Sequence, residues 1–158
     1  MSNVETEEKL KSSGEKSEMG IEKILETLPH RYPMLMVDRV LEISEDKIVA
    51  IKNVTINEGI FQGHFPGAPV MPGVLQLEAM AQVGGILTSV KCDLPGAIAY
   101  FMSADKVKFR KPVVPGDQLR VEFKLTRLKG KIARGAGSCF VNDVLVSEGD
   151  VTFMLDTR

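Results

Sequence analysis

Two ionisable side chains stand alone in an apolar part of the chain. Between Gly59 and Val90 only His64 and Glu78 are ionisable, and their neighbours are mostly glycine, proline and aliphatic residues. A charged group in such surroundings requires a partner or becomes neutral, because an unpaired buried charge is costly. One imidazole and one carboxyl are the components of an acid–base pair. The segment therefore predicts acid–base chemistry, and a metal site is not expected because zinc normally requires further ligands.

The carboxyl is predicted to lie on a long central helix. This helix should run from Gly73 to about Val90, with Pro72 in its first turn, where a missing N–H is harmless. Its residues are apolar on nearly every face, so the helix must be buried on every face. The glycine pair Gly84-Gly85 within it predicts close packing against backbone.

The rest of the chain supplies one short helix and several strands to cover the central helix. The short helix is expected from Ile21 to about Leu28, ending at Pro29. Alternation and turn residues predict strands at about Met34–Ile43, Lys47–Val54, Ala97–Phe109, Asp117–Leu128, Ile132–Val141 and Val144–Leu155. We therefore expect an α+β fold, a long central helix wrapped by a curved antiparallel β-sheet. Residues 1–19 read as a disordered tail, and residues 20–158 as a single domain.

Composition excludes several classes of function. The net charge is −1, so there is no general positive field for nucleic acid. Glutamine, glutamate and glycine interrupt the most apolar stretch, so no membrane span is expected. The chain has two cysteines, Cys92 and Cys139, in unrelated contexts, which favours a reducing, cytoplasmic setting.

Residues Gly63 to Gln82, GHFPGAPVMPGVLQLEAMAQ, resemble the active-site signature of the FabZ-type (3R)-hydroxyacyl-[acyl carrier protein] dehydratases. Leu28–Val40 and Lys106–Asp117 resemble two further blocks of that family, so the similarity runs from about Ile21 to the C-terminus. The resemblance implies a hotdog fold that pairs into homodimers, and trimers of dimers occur among relatives. It also implies that each site combines groups from two subunits.

The resemblance further implies a role for each residue of the signature. His64 would be the base, and Glu78 of the partner subunit the acid. The backbone N–H of Gly73 would polarise the thioester carbonyl, where the unpaired N–H groups at a helix start carry partial positive charge. Gln82, one helical turn after the glutamate, would hydrogen-bond its carboxyl, and the Val70 carbonyl would fix the imidazole tautomer.

Other residues receive weaker interpretations. Two aromatic residues of a predicted strand are Tyr100 and Phe101. They either line or gate an acyl tunnel, or they are ordinary strand residues. A basic cluster suits an acidic acyl carrier protein bearing an acyl-phosphopantetheine, and comprises Lys106, Lys108, Arg110 and Lys111. His30 is read as structural and is assigned no chemistry.

The sequence thus predicts a cytoplasmic hydro-lyase that needs no metal or redox cofactor. Glutamate rather than aspartate at position 78 favours dehydration without the isomerase activity of FabA-type relatives. Two alternatives stay open, a hotdog acyl thioesterase and a non-catalytic module that binds acyl groups. Acyl length cannot be read from the sequence, because it depends on the depth of the tunnel.

Overall fold

The structure, a computed structural model, describes residues 17–157 as two α-helices, one 3₁₀ helix and six β-strands. The helices are α1 (Ile21–Thr27), the 3₁₀ helix (Gly59–Gln62) and α2 (Gly73–Cys92). The strands are β1 (Arg39–Ile43), β2 (Lys47–Asn53), β3 (Ile98–Phe109), β4 (Gln118–Lys129), β5 (Ile132–Val141) and β6 (Val144–Asp156).

All six strands form one antiparallel sheet in the order β1-β2-β4-β5-β6-β3. Tight turns join β4 to β5 and β5 to β6, as the sequence predicted. Asn142 and Asp143 form the second turn with φ angles of 48° and 62°, which suits a two-residue hairpin because positive φ matches the twist of the strands. The long strand β3 is left at one edge of the sheet.

The sheet packs around α2, which contacts strands β2 to β6. Side chains from all its faces are buried, and Met80, Val83, Ile86 and Leu87 are at most 1% exposed. This confirms the prediction of a wrapped central helix. The helix must follow a fixed path along the sheet, since its residues pack against five strands.

Close packing at the glycine pair is confirmed, but its partner is a side chain and not backbone. A Cβ at Gly84 would lie 2.7 Å from the Cζ atom of Phe123, whereas a Cβ at Gly85 would meet nothing closer than 3.8 Å. The phenyl ring from β4 thus occupies the space that any larger residue at position 84 would need.

Three predicted boundaries were wrong. Strand β1 begins at Arg39 and not at Met34, because the backbone of Met34 and Met36 bonds to the side chain of Gln82 instead of to a strand. Pro72 is the residue before α2 and has extended backbone (ψ 133°), so it lies outside the first turn. The predicted tail falls mostly outside the described residues, but Met19 at its end pairs with Val40 and is 5% exposed, so it belongs to the fold.

Candidate active site

Glu78 lies on the second turn of α2 with its side chain 22% exposed. Its Oε1 accepts a hydrogen bond of 2.8 Å from Nε2 of Gln82, one turn further along the helix. The hydrogen bond predicted from the spacing is therefore present. It fixes one of the two carboxyl oxygens as an acceptor.

The amide of Gln82 is itself held by backbone from the segment before β1. Its Oε1 accepts the Met36 N–H at 2.8 Å, and its Nε2 donates to the Met34 carbonyl at 2.7 Å. These partners allow one amide orientation only, because a backbone N–H cannot accept and a carbonyl cannot donate. The second hydrogen on Nε2 must then point at Glu78. Gln82 is 1% exposed, so water does not compete for these bonds.

His64 lies in the loop between the 3₁₀ helix and α2, and two hydrogen bonds join it to Val70. The Val70 N–H donates to the His64 carbonyl at 3.0 Å, and the imidazole Nδ1 lies 2.7 Å from the Val70 carbonyl. Since a carbonyl only accepts, Nδ1 must carry the hydrogen. In a neutral imidazole with this tautomer, Nε2 keeps a free lone pair and can accept a proton. The ring also stacks on Phe65 with centroids 4.0 Å apart.

The two predicted catalytic groups have different interaction partners within one chain. Among residues 17–157, no hydrogen bond or ion pair joins His64 and Glu78. Each is instead oriented by its own surroundings, the imidazole by its loop and the carboxyl by the central helix. The roles of the two groups as base and acid stay a prediction.

The start of α2 is tightly covered at Gly73. A Cβ on this residue would lie 2.8 Å from the ring of Phe109, so only glycine fits beneath the ring. The first N–H groups of α2 lack partners within the helix and carry the positive end of its dipole. Gly73 is the first residue of α2, and the role of its N–H toward a thioester stays a prediction.

His30, which the sequence analysis assigned no chemistry, lies at the carboxyl of Glu78. Its Nε2 is 3.4 Å from Glu78 Oε1, and its Nδ1 is buried without a hydrogen-bond partner in the described part of the chain. There was one reason in the sequence to consider His30, because the chain has only two histidines. The structure places His30 beside the carboxyl of Glu78 and His64 in the loop before α2.

The remaining predicted residues lie on or just after strand β3, away from the core. Tyr100 and Phe101 are 45% and 41% exposed. The basic cluster follows them along the chain, and Arg110 pairs with Glu148 at 3.1 Å. The single chain thus presents these residues to solvent on the edge strand.

Two properties of the described residues concern other classes of function. Between residues 17 and 157, no three His, Cys, Asp or Glu side chains are grouped so that they could hold a metal ion. Neither α1 nor α2 is long and apolar enough to cross a membrane.

The sequence matches a family model described as the FabA-like domain over residues 28–150. It is 52% identical over 134 residues to the 3-hydroxyacyl-[acyl-carrier-protein] dehydratase FabZ of Syntrophobacter fumaroxidans, covering 84% of this chain and 91% of the relative. It is 53% identical over 135 residues to the protein of the same name from Streptococcus mutans, covering 85% and 96%.

Solved structures share the fold at much lower identity. The dehydratase heterocomplex ApeI:P of Xenorhabdus doucetiae superposes with a TM-score of 0.75 at 16% identity, covering 89% of this chain and 93% of that one. A hypothetical thioesterase of Streptococcus pneumoniae, solved with coenzyme A, gives a TM-score of 0.56 at 11% identity, covering 75% and 85%. These matches confirm the predicted hotdog fold.

Proposed function

The chain belongs to the FabA-like family, and from that membership we propose that it dehydrates (3R)-hydroxyacyl-[acyl carrier protein] to trans-2-enoyl-[acyl carrier protein] in fatty-acid biosynthesis. One observation carries the proposal, namely identity of 52–53% to FabZ dehydratases over 84–85% of this chain. The preorganised imidazole and carboxyl supply the chemistry that this reaction needs.

Dehydration breaks a C–H bond and a C–O bond. Nε2 of His64 takes the proton from C2 of the substrate, and the electron pair left behind forms the new double bond to C3. Glu78 gives its proton to the hydroxyl on C3, which leaves as water. The Gly73 N–H hydrogen-bonds the thioester oxygen as that oxygen gains charge. The Val70 carbonyl and Gln82 keep the base and the acid oriented through these steps.

The site is proposed to form between two copies of the chain, with His64 of one copy facing Glu78 of the partner subunit. Two observations support this arrangement. No hydrogen bond or ion pair joins the two groups among residues 17–157, and the edge strand β3 exposes Tyr100, Phe101 and Met102 by 41–55%. A long edge strand whose first half exposes apolar side chains is a natural site for pairing with another copy. Assembly of three such dimers stays a prediction.

The test is an enoyl-thioester hydration assay on the wild type and on the His64→Ala and Glu78→Gln variants. We expect both variants to lose at least about 100-fold in kcat, as removal of a general acid or base typically does. A mixed sample, unfolded and refolded together at equal amounts, should regain about a quarter of wild-type activity. Half of the dimers would then be mixed, and each of these has one intact site.

Other outcomes of this assay would contradict the proposal. Wild-type rates in either single variant would contradict the catalytic role of the replaced residue. A mixed sample that recovers no activity would contradict a site shared between two copies. Release of free thiol in place of hydration would instead favour the acyl thioesterase. Binding of a crotonyl thioester without turnover would favour a non-catalytic acyl-binding module.

The partner is proposed to be an acyl carrier protein that docks on the basic cluster along β3. Arg110 is partly neutralised by Glu148, so the lysines are the better residues to test. In the same assay, Lys106→Glu with Lys108→Glu should raise KM for carrier-linked substrate and leave KM for a CoA-linked substrate unchanged. An equal effect on both substrates would contradict docking here. We also propose a cytoplasmic location, which suits the free thiols of Cys92 and Cys139.

A further inference from the structure

We propose that His30 is a positioning residue for Glu78. Its Nε2–H donates to Glu78 Oε1 and so leaves Oε2 as the oxygen that delivers the proton. The inference rests on the proposed dehydration and names which atom of the carboxyl carries out the proton transfer. It starts from the distance of 3.4 Å between His30 Nε2 and Glu78 Oε1.

The surroundings of the ring determine where His30 carries its hydrogen. Glu78 Oε1 already accepts a hydrogen bond from Gln82, and it remains an acceptor when Oε2 holds a proton, so the nitrogen that faces it must be a donor. The other nitrogen, Nδ1, is buried and has no partner among the residues that the structure describes. A hydrogen there would be a buried N–H without an acceptor, which is unfavourable. The arrangement therefore favours a single hydrogen, on Nε2.

With this tautomer, both donors near the carboxyl converge on the same oxygen. Gln82 Nε2 donates to Oε1 at 2.8 Å, and His30 Nε2 lies 3.4 Å from the same oxygen. In the described part of the chain no donor is assigned to Oε2, so that oxygen is the one able to hold a proton and turn it toward substrate. Once Glu78 has protonated the departing hydroxyl, the two donors stabilise the carboxylate that remains.

The distance of 3.4 Å is longer than an ordinary N–H···O bond, which measures about 2.7–3.2 Å. Catalytic hydrogen bonds are often long in a free enzyme and shorten when substrate is bound. We therefore expect the contact to tighten as charge develops on the carboxyl.

The turn that carries His30 is fixed by its neighbour. Arg31 donates to the carbonyls of Leu28 and His30 through Nη1, at 2.9 and 2.7 Å, and to the Leu25 carbonyl through Nη2, at 2.9 Å. Three charge-assisted hydrogen bonds at the end of α1 restrict the backbone on both sides of the histidine. The imidazole is thus presented to Glu78 from a rigid segment.

Three variants separate the donor from the shape of the ring. His30→Gln places an amide N–H near the position of Nε2, His30→Asn places one near Nδ1 only, and His30→Phe fills the space without a donor. We expect kcat for hydration of a crotonyl thioester to fall about 10- to 100-fold in the Phe and Asn variants, with KM within about 2-fold. The Gln variant should recover most of the rate. The Asn variant keeps the test available if the Phe variant does not fold.

A Glu78→Gln background shows whether His30 acts through the carboxyl. There, His30→Asn should lower the residual rate by less than about 2-fold, since residues acting as a unit are not additive. Wild-type kcat in the Asn and Phe variants, a Gln variant as slow as Asn, or an undiminished effect in the Glu78→Gln background would each overturn the positioning role. An inactive wild type would instead overturn the proposed function itself, and this role with it.

Discussion

Replacement of Gln82 by leucine should lower both the stability of the protein and its catalytic rate. The side chain is 1% exposed and satisfies Met36 N–H and the Met34 carbonyl, at 2.8 and 2.7 Å. Leucine would leave these two backbone groups buried without partners, and each orphaned group costs roughly 1–3 kcal/mol. Allowing for the better burial of leucine, the free energy of unfolding should fall by about 2–4 kcal/mol. Loss of the donor to Glu78 should lower kcat in addition.

The chain offers a matched control on the same helix. Gln76 is also buried, at 3% exposed, but its Oε1 has no hydrogen-bond partner among the described residues. Gln76→Leu removes a polar atom that gains little from the fold, so it should change stability by less than about 1 kcal/mol or increase it. Two buried glutamines six residues apart on α2 are thus expected to behave in opposite ways.

Urea unfolding at one fixed protein concentration measures both variants, since the stability of an oligomer depends on concentration. Unchanged m-values would show that the midpoints report stability. A loss below about 1 kcal/mol for Gln82→Leu, or an equal loss for Gln76→Leu, would refute the argument from satisfied and unsatisfied amides.

Two further outcomes follow from the core. Gly84→Ala should lower the free energy of unfolding by about 1–3 kcal/mol, because its Cβ would lie 2.7 Å from the Phe123 ring. Gly85→Ala, whose Cβ would lie 3.8 Å from the nearest atom, should be neutral or stabilising by up to about 1 kcal/mol. Thermal unfolding of the two variants tests this difference. Burial raises the pKa of the Cys139 thiol from 9.0 to about 12, so the unfolded chain loses this proton first and stability should fall as pH rises above 9.0. In Cys139→Ala this contribution of the thiol to the pH dependence is absent. The unfolding free energy of the variant should therefore fall less steeply with pH than that of the wild type, by up to about 1.4 kcal/mol per pH unit. Equal slopes for the two proteins would contradict the pKa shift.

Features that depend on local sequence were predictable. Apolar residues on nearly every face around Glu78 indicated a helix buried on every side, and α2 contacts five of the six strands. Spacing of four residues placed Gln82 against the carboxyl, because such residues lie on one face of a helix. The turn at Asn142 and Asp143 followed from residue types that tolerate positive φ.

Features that depend on contacts between distant segments were not predictable. The backbone partners of Gln82 lie 46 and 48 residues away in the sequence, so no periodicity reveals them. The same contacts prevent Met34 to Met36 from joining β1, where alternation alone indicated a strand. The imidazole of His30 reaches Glu78 through the same long-range packing, and for that reason a residue beside a proline and an arginine looked merely structural.

The two edges of the β-sheet differ, and the difference limits how far pairing of strands between chains can extend. At the β1 side the strand has five residues, and Met19 occupies its outer hydrogen-bonding position through paired bonds of 3.1 and 3.0 Å with Val40. At the other side β3 offers twelve residues. If two copies paired through β3 about a two-fold axis, each copy would cover the long sheet edge of the other. Pairing of edge strands then ends at two copies, so it cannot extend into an open-ended row of paired strands.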